Sequence, residues 1–294
     1  MSSILKKKMR KRLEIGWRNT MQNKIEIQSV KMEDCSMDYF RSGRGEKSLV
    51  ILPGISVQSV MNSADAVVDA FQLMQEDFTI YVFDRRKELP QEYSIYDMAR
   101  DTAAAIRLLG LSDIYLFGAS QGGMIAMTIA IENTDLVKKL ALASTSSHVK
   151  SEQYKALNEW IELAKKGDRT GLYLRFGEMI YPPAVFEQYR DYFIDASESV
   201  TDEELQRFVI LASGTKDFNV TERLQKIQCP VLTTGSFEDE VLDCDATMEI
   251  AEKLDYKKDF RLYMYTGFGH ASFDTAPDFR SRMYEFFMEG HKKQ

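Results

Sequence analysis

Short runs of consecutive apolar residues alternate along this chain with longer stretches whose apolar positions recur every three or four residues. The runs at 48–52, 78–83, 113–117, 139–143, 230–235 and 260–265 have the length of strands. Between them, 59–74, 96–109, 121–132, 245–254 and 277–288 carry helical spacing, and Gly110 closes the second of these. Near-continuous apolar strands alternating with helices belong to parallel sheets covered on both faces. The pattern therefore predicts an α/β fold, a mostly parallel central sheet flanked by helices. Segments 24–30 and 35–40 precede it as a hairpin.

The rhythm breaks after Ser147. A helix over 154–166 ends at Gly167, further helical pieces follow with an interruption at Pro182-Pro183, and no strand pattern returns until 230. A stretch of about 80 residues without strands, set between two strands, reads as a helical insertion rather than as a second domain in series. This divides the chain into a leader at 1–23, a core at 24–146 and 229–294, and the insertion at 147–228.

At 294 residues, 44% hydrophobic and 28% charged, the chain has ample material for a stable core. No run approaches eighteen apolar residues, which excludes a transmembrane helix. Basic residues near the start are not followed by an apolar segment, so no secretory signal is expected. Three cysteines, Cys35, Cys229 and Cys244, lie far apart and outside any metal-ligand spacing. They read as reduced thiols of a cytoplasmic protein, and with only three histidines a zinc site is not expected.

The net charge of −7 conceals an asymmetry: residues 1–18 hold seven Lys/Arg against Glu14, leaving 31 bases and 44 acids in the remainder. An acidic body disfavours nucleic acid as a partner. In the leader, Leu5, Met9, Leu13 and Trp17 are four apart on one helical face among the basic residues. Such a segment suits either a membrane surface or packing on its own domain or a neighbouring subunit, and the second reading is preferred. Packing of the leader on a neighbouring subunit would make the protein a homo-oligomer.

The chemistry concentrates between the strand at 113–117 and the helix at 121–132. Gly118-Ala119-Ser120-Gln121-Gly122 is a G-x-S-x-G turn, in which small flanking residues let the chain fold sharply and project the serine at a helix N-terminus. A serine hydroxyl needs an adjacent base. Of the histidines, His291 lies in a polar tail and His148 follows the last strand before the insertion. His270 sits in Gly267-Phe-Gly-His270, a loop after a strand, and is the candidate base. An orienting acid is expected in the loop after 231–234, where Glu238, Asp239 and Glu240 are consecutive; Asp239 is favoured over Glu238. The backbone N–H groups of Gln121 and of Ile55, in Pro53-Gly54-Ile55, are the candidate oxyanion donors.

The order Ser120, Asp239, His270 and the motifs around it resemble the α/β-hydrolase superfamily, in its lid-bearing intracellular esterase-like branch. The resemblance covers about residues 35–146 and 229–290. It rests on Leu52-Pro-Gly54, Phe83-Asp-Arg-Arg86, the elbow at 118–123, Cys229-Pro-Val-Leu-Thr-Thr-Gly235 with Asp239, and 267–270. It implies the α/β-hydrolase fold, an inserted helical cap and a Ser–His–Asp serine hydrolase that needs no metal or organic cofactor. Two departures stand out. Pro53-Gly54 replaces the His-Gly of many relatives, and Lys87-Glu-Leu-Pro90 replaces a Gly-His-Gly-x-Ser loop, which puts substrate contacts there in doubt.

Together these features point to cleavage of a carboxylic ester or thioester of a small, apolar molecule. The alternatives are another chemistry on the same triad (C–C bond hydrolysis, acyl transfer or lipid hydrolysis) or a non-catalytic ligand-binding protein on the same scaffold. Residues 151–220 contain eleven aromatics, about 16% of the segment against 11% of the chain. Most serve packing on this reading, with Trp160, Phe176 and Tyr181 as candidates for the pocket wall. No candidate site residue lies in the leader. Deleting 1–18 is therefore expected to leave kcat/KM on a soluble ester within a few-fold. Salt-sensitive co-sedimentation with anionic liposomes, lost on the same truncation, would show instead that the leader is a membrane element.

Overall fold

The computed structural model describes residues 25–290, so the basic leader helix expected at 1–23 and His291 lie outside the described residues. Eight strands form one sheet: β1 (Ile27–Lys31), β2 (Ser36–Ser42), β3 (Lys47–Leu52), β4 (Phe78–Arg86), β5 (Ile114–Ala119), β6 (Val137–Ala143), β7 (Val231–Ser236) and β8 (Phe260–Tyr265). Their spatial order is β1-β2-β4-β3-β5-β6-β7-β8. The pairs β1–β2 and β2–β4 are antiparallel, and every later pair is parallel.

Alternation along the inner strands feeds two cores. Val50 and Leu52 of β3 join Ile114 and Leu116 of β5 in one, while Leu49 and Ile51 join Tyr115 and Phe117 in the other. Helices α1 (Ala64–Ala70), α2 (Ile95–Leu108), α3 (Gln121–Glu132), α8 (Cys244–Leu254) and α10 (Phe279–Met288) cover these faces. Helix α3 is apolar and buried almost all round, as a helix inside a large core must be.

Between β6 and β7 stand four helices, α4 (Ser151–Lys165), α5 (Arg169–Ile180), α6 (Pro183–Glu198) and α7 (Asp202–Ser213). Pro183 opens α6 at its first turn, where a missing N–H costs nothing. His148 pairs with Asn219 in a lone bridge where the chain leaves the sheet and returns.

Three elements differ from the pattern expected of the sequence. Strand β4 runs on through Asp84-Arg85-Arg86, because these groups find partners: Arg86 with Asp101 at 3.1 Å, Asp84 with Arg207, and Arg85 with the Pro53 carbonyl. The single helix expected over 59–74 is α1 between two 3₁₀ turns; the tighter turn at Gln72–Met74 follows Phe71, and both Phe71 and Met74 are buried. The last helix begins only at Phe279. Ala276 precedes a proline and is extended (ψ 124°), which ends the short α9 (Ser272–Thr275) before it.

One close approach governs the geometry near the sheet's carboxyl edge. A β-carbon at Gly122, in the first turn of α3, would collide with the carbonyl oxygens of Leu52 and Pro53 at the end of β3. Gly122→Ala is therefore expected to destabilise the protein by about 1–3 kcal/mol, read from the denaturant midpoint, because backbone must move to admit one methyl group. An unchanged midpoint would show that α3 does not press on β3 as described.

Candidate active site

In this sheet β3 lies between β4 and β5, so the chain leaves β3 toward one side and β5 lies on the other. A crevice opens at such a switch point, beyond the carboxyl ends of the strands. The loop after β3, the turn after β5, and the loops after β7 and β8 all emerge at this edge.

Ser120 forms the whole turn between β5 and α3, at φ 51° and ψ −122°. A non-glycine residue there costs about 1–3 kcal/mol, and such strain gathers at functional sites. Its amide donates to Ala143 O at 2.9 Å and its carbonyl accepts from Thr145 Oγ1 at 2.7 Å, which pins the turn to β6 and the loop after it. The side chain makes no capping bond to the helix it opens, so a mere capping job does not describe it. Gly54 leaves room above it: a β-carbon at 54 would stand 3.3 Å from Ser120 Cβ.

His270 and Asp239 meet in the interior. The ring Nδ1 lies 2.8 Å from one carboxylate oxygen of Asp239 and 2.9 Å from the other, and the residues are 2% and 8% exposed. Asp239 Oδ1 also accepts from the N–H groups of Val241 (2.9 Å) and Leu242 (3.0 Å). Burial alone would raise the Asp239 carboxyl, but the His270 ring and the two backbone donors outweigh it and hold it below the ordinary carboxylate value. Asp239 is thus an anion at neutral pH, an acceptor only, so in the neutral form of the ring Nδ1 carries the proton and Nε2 the free lone pair.

Of the two acids left open by the sequence, Asp239 touches the ring. Glu238 is exposed and turns instead to the backbone, accepting from Gly267 N at 2.6 Å and Ser236 Oγ at 3.1 Å. It ties the loop that carries His270 to β7. In the sequence these roles are separated only by side-chain length and by the place of Asp239 where the loop turns toward the next helix.

A cavity of about 330 Å³ lies over Ser120. Ser120, Ile55 and His270 line it together with the loop from Pro53 to Val60 and, from the insertion, Trp160, Tyr173, Phe176, Tyr181, Tyr192 and Phe193. All three aromatic candidates therefore face it, while five of the eleven aromatics of the segment do not. Trp160 does both jobs, being 1% exposed with its ring 4.6 Å from that of Phe176. No residue of the 87–90 loop reaches this cavity. Gln121 is 2% exposed and its side chain points away, toward Arg85 and Leu211. Among the described residues neither the Gln121 nor the Ile55 N–H has an acceptor.

Other nucleophiles and ligand sets do not compete. Burial pushes the Cys35 and Cys229 thiols up to about 11 and about 12, which keeps them protonated. Among the described residues one group has metal-ligand spacing, Asp243-Cys244-Asp245, at the surface where Asp243 caps α8 and outside the cavity.

Residues 47–170 match the family described as alpha/beta hydrolase fold. The chain is 22% identical over 152 residues to the mouse serine hydrolase BPHL, a match that covers 47% of this chain and about half (51%) of that protein. Among solved structures, an alpha/beta hydrolase enzyme from a deep-sea metagenome library superposes with a TM-score of 0.80 at 20% identity, over 91% of this chain and 99% of that one. The enol-lactonase of Burkholderia xenovorans gives 0.76 at 12% identity, over 89% and 100%.

The contrast between the two acids generates a direct contest. Asp239→Asn is expected to slow covalent labelling of Ser120 by a fluorophosphonate by orders of magnitude, about 10⁴ being the scale for a triad acid made amide, because the amide favours the wrong tautomer of His270. Glu238→Gln is expected to cost about ten-fold or less, since an exposed acid that steadies a loop acts only indirectly. The reverse ranking would place the functional acid at Glu238.

Proposed function

We propose that this chain, a member of the α/β-hydrolase superfamily, is a serine hydrolase that cleaves a neutral, apolar ester or thioester. The observation that carries the reading is the buried His270–Asp239 pair opening onto the same cavity as Ser120. A carboxylate that holds one ring nitrogen protonated leaves the other as a base, and a serine at a strained strand–helix turn presents its hydroxyl free of local bonds.

The reaction then runs in two halves. His270 Nε2 takes the Ser120 proton as Oγ bonds to the carbonyl carbon, and the N–H groups of Ile55 and Gln121 receive the negative oxygen. One such donor is typically worth about 3 kcal/mol in the transition state. Collapse expels the alkoxide or thiolate, which takes the proton back from Nε2 and leaves the acyl group on Ser120. Water gives a proton to Nε2 as its oxygen adds to the acyl carbon; the bond from that carbon to Oγ then breaks, Oγ takes the proton back from Nε2, and the acid leaves. Asp239 stays ionised throughout and steadies the imidazolium.

The cavity supports the substrate class. No Lys or Arg lines it, and its one carboxylate, Asp274 at the rim, is paired with Arg280 at 3.2 Å. Six aromatic side chains of α4–α6 and the Tyr181 turn give it an apolar wall, and these helices act as a cap over Ser120. Among the described residues no helix is long and apolar enough to cross a membrane. The proposal is of an enzyme acting on small molecules, and the three free cysteines support a reducing compartment, the cytoplasm, as its place.

Ser120→Ala is expected to abolish turnover of p-nitrophenyl butyrate and fluorophosphonate labelling while the circular dichroism spectrum is unchanged. Labelling of the variant at the wild-type rate would remove Ser120 from the role of nucleophile. The corresponding ester of a dicarboxylic acid, with a free carboxylate at the end of its acyl chain, is expected to react at least about ten-fold more slowly, because the cavity offers that charge no partner.

A further inference from the structure

Beneath the site lies a cation that the mechanism above does not use. Arg85, near the end of β4, is 5% exposed. Its Nη2 donates to Pro53 O at 2.8 Å and to Gln121 Oε1 at 3.1 Å. Gln121 in turn donates from Nε2 to Leu211 O of α7 at 2.7 Å. One guanidinium thus grips both chain segments that carry the candidate oxyanion donors. Fixing the Pro53 carbonyl sets the peptide plane leading into Gly54 and Ile55. Fixing the Gln121 side chain sets the first residue of α3, directly after Ser120.

The charge is also left without a carboxylate of its own. Neighbouring Asp84 is committed to Arg207, to Ser59 Oγ and to the Arg85 backbone N–H, and among the described residues Arg85 forms no ion pair. Its Nε has no partner either. Burial pulls the guanidinium down to about 10, still well above neutral pH, so it remains a cation. Asp84 nearby favours the charge, but a buried cation with no carboxylate in contact is expensive, and a bracing role alone is within reach of a neutral amide. Placed behind the two donors, in a low dielectric, a positive charge is most useful when negative charge appears on the substrate oxygen.

We propose that Arg85 is a positioning residue for transition-state stabilisation: it holds the Ile55 and Gln121 N–H groups in register with each other and adds a favourable field at the oxyanion. This rests on the serine-hydrolase reading.

The test measures kcat, KM, melting temperature and inhibition by an alkyl boronic acid, which forms a tetrahedral adduct on an activated serine. Arg85→Met is expected to lower kcat and kcat/KM together by about ten- to hundred-fold, less than the loss of a whole donor. KM should stay within about three-fold, and boronate affinity should fall in step with kcat. Arg85→Lys keeps the charge but reaches only one of the two acceptors, so it should recover part of the loss. Gln121→Met, which keeps the backbone donor and the cation but cuts the link between them, should lie between wild type and Arg85→Met. Should Arg85→Met fail to fold, the other two variants carry the same comparison. Wild-type kcat and boronate affinity in folded variants would overturn the proposal, as would a loss confined to KM and melting temperature. A wild-type protein that neither turns over the ester nor labels with fluorophosphonate would overturn the serine-hydrolase reading itself, and the role of Arg85 with it.

Discussion

Between β5 and α3 the chain reverses within one residue, and Ser120 does so at φ 51°, a conformation that L side chains resist. What holds it there is the packing on either side. Strand β5 is buried along its whole length, α3 is buried almost all round, and Gly122 lets the first turn of that helix press against the end of β3. Neither element has freedom to relax the turn, so the strain stays at the serine. The same compression brings the loop at Pro53–Ile55 close to Ser120, where a β-carbon at Gly54 would stand 3.3 Å from the serine Cβ.

The polar interior is arranged around that volume in two separate groups. On the β7–β8 side, Asp239 is kept ionised by two backbone donors and the His270 ring, with Glu238 steadying the loop behind it. On the β3–β4 side, Arg85 and Asp84 divide their duties: Arg85 serves the Pro53 carbonyl and Gln121, and Asp84 serves Ser59 and Arg207 of α7. The first group fixes the imidazole of His270. The second ties the core to the insertion, since Arg207 and the Leu211 carbonyl both belong to α7. Buried charges are tolerated at this edge because each has a specific hydrogen-bond partner, and where one lacks a counter-charge a functional reason is the natural place to look.

The insertion meets the site through apolar contact and through further bonds, among them Ala271 N to Ile180 O at 3.0 Å, beside His270, and Tyr173 Oη to Gln58 Oε1 at 3.2 Å. Its aromatic residues divide between wall and core. Phe208 and Phe218 are fully buried supports, whereas Tyr192 stands 67% exposed at the cavity mouth. A cavity with apolar walls and a few convergent polar groups selects by shape and by the absence of charge more than by hydrogen bonding.

Much of this architecture was legible in residue order. Unbroken apolar runs mark the inner strands, because a strand buried on both faces must be apolar throughout, and 3.6-residue spacing marks the one-sided helices α2 and α8. Ser120 and His270 follow from a strand–turn–helix motif and from the scarcity of histidine, and both are local or compositional signals. Other features arise only when distant segments meet. Strand β4 continues through three charged residues because Asp101 pairs with Arg86, Arg207 with Asp84, and the Pro53 carbonyl and Gln121 amide accept from Arg85, which no local pattern foretells. Asp239 and not Glu238 faces the imidazole because the β7 turn aims one carboxylate inward and gives the other to the Gly267 backbone. The contacts of Arg85 join residues 32, 36 and, through Gln121, a further 90 positions apart. A sequence encodes which groups are available at each position, but charge neutralisation and side-chain aim depend on three-dimensional neighbours, and those exist only once the sheet has brought its carboxyl edges together.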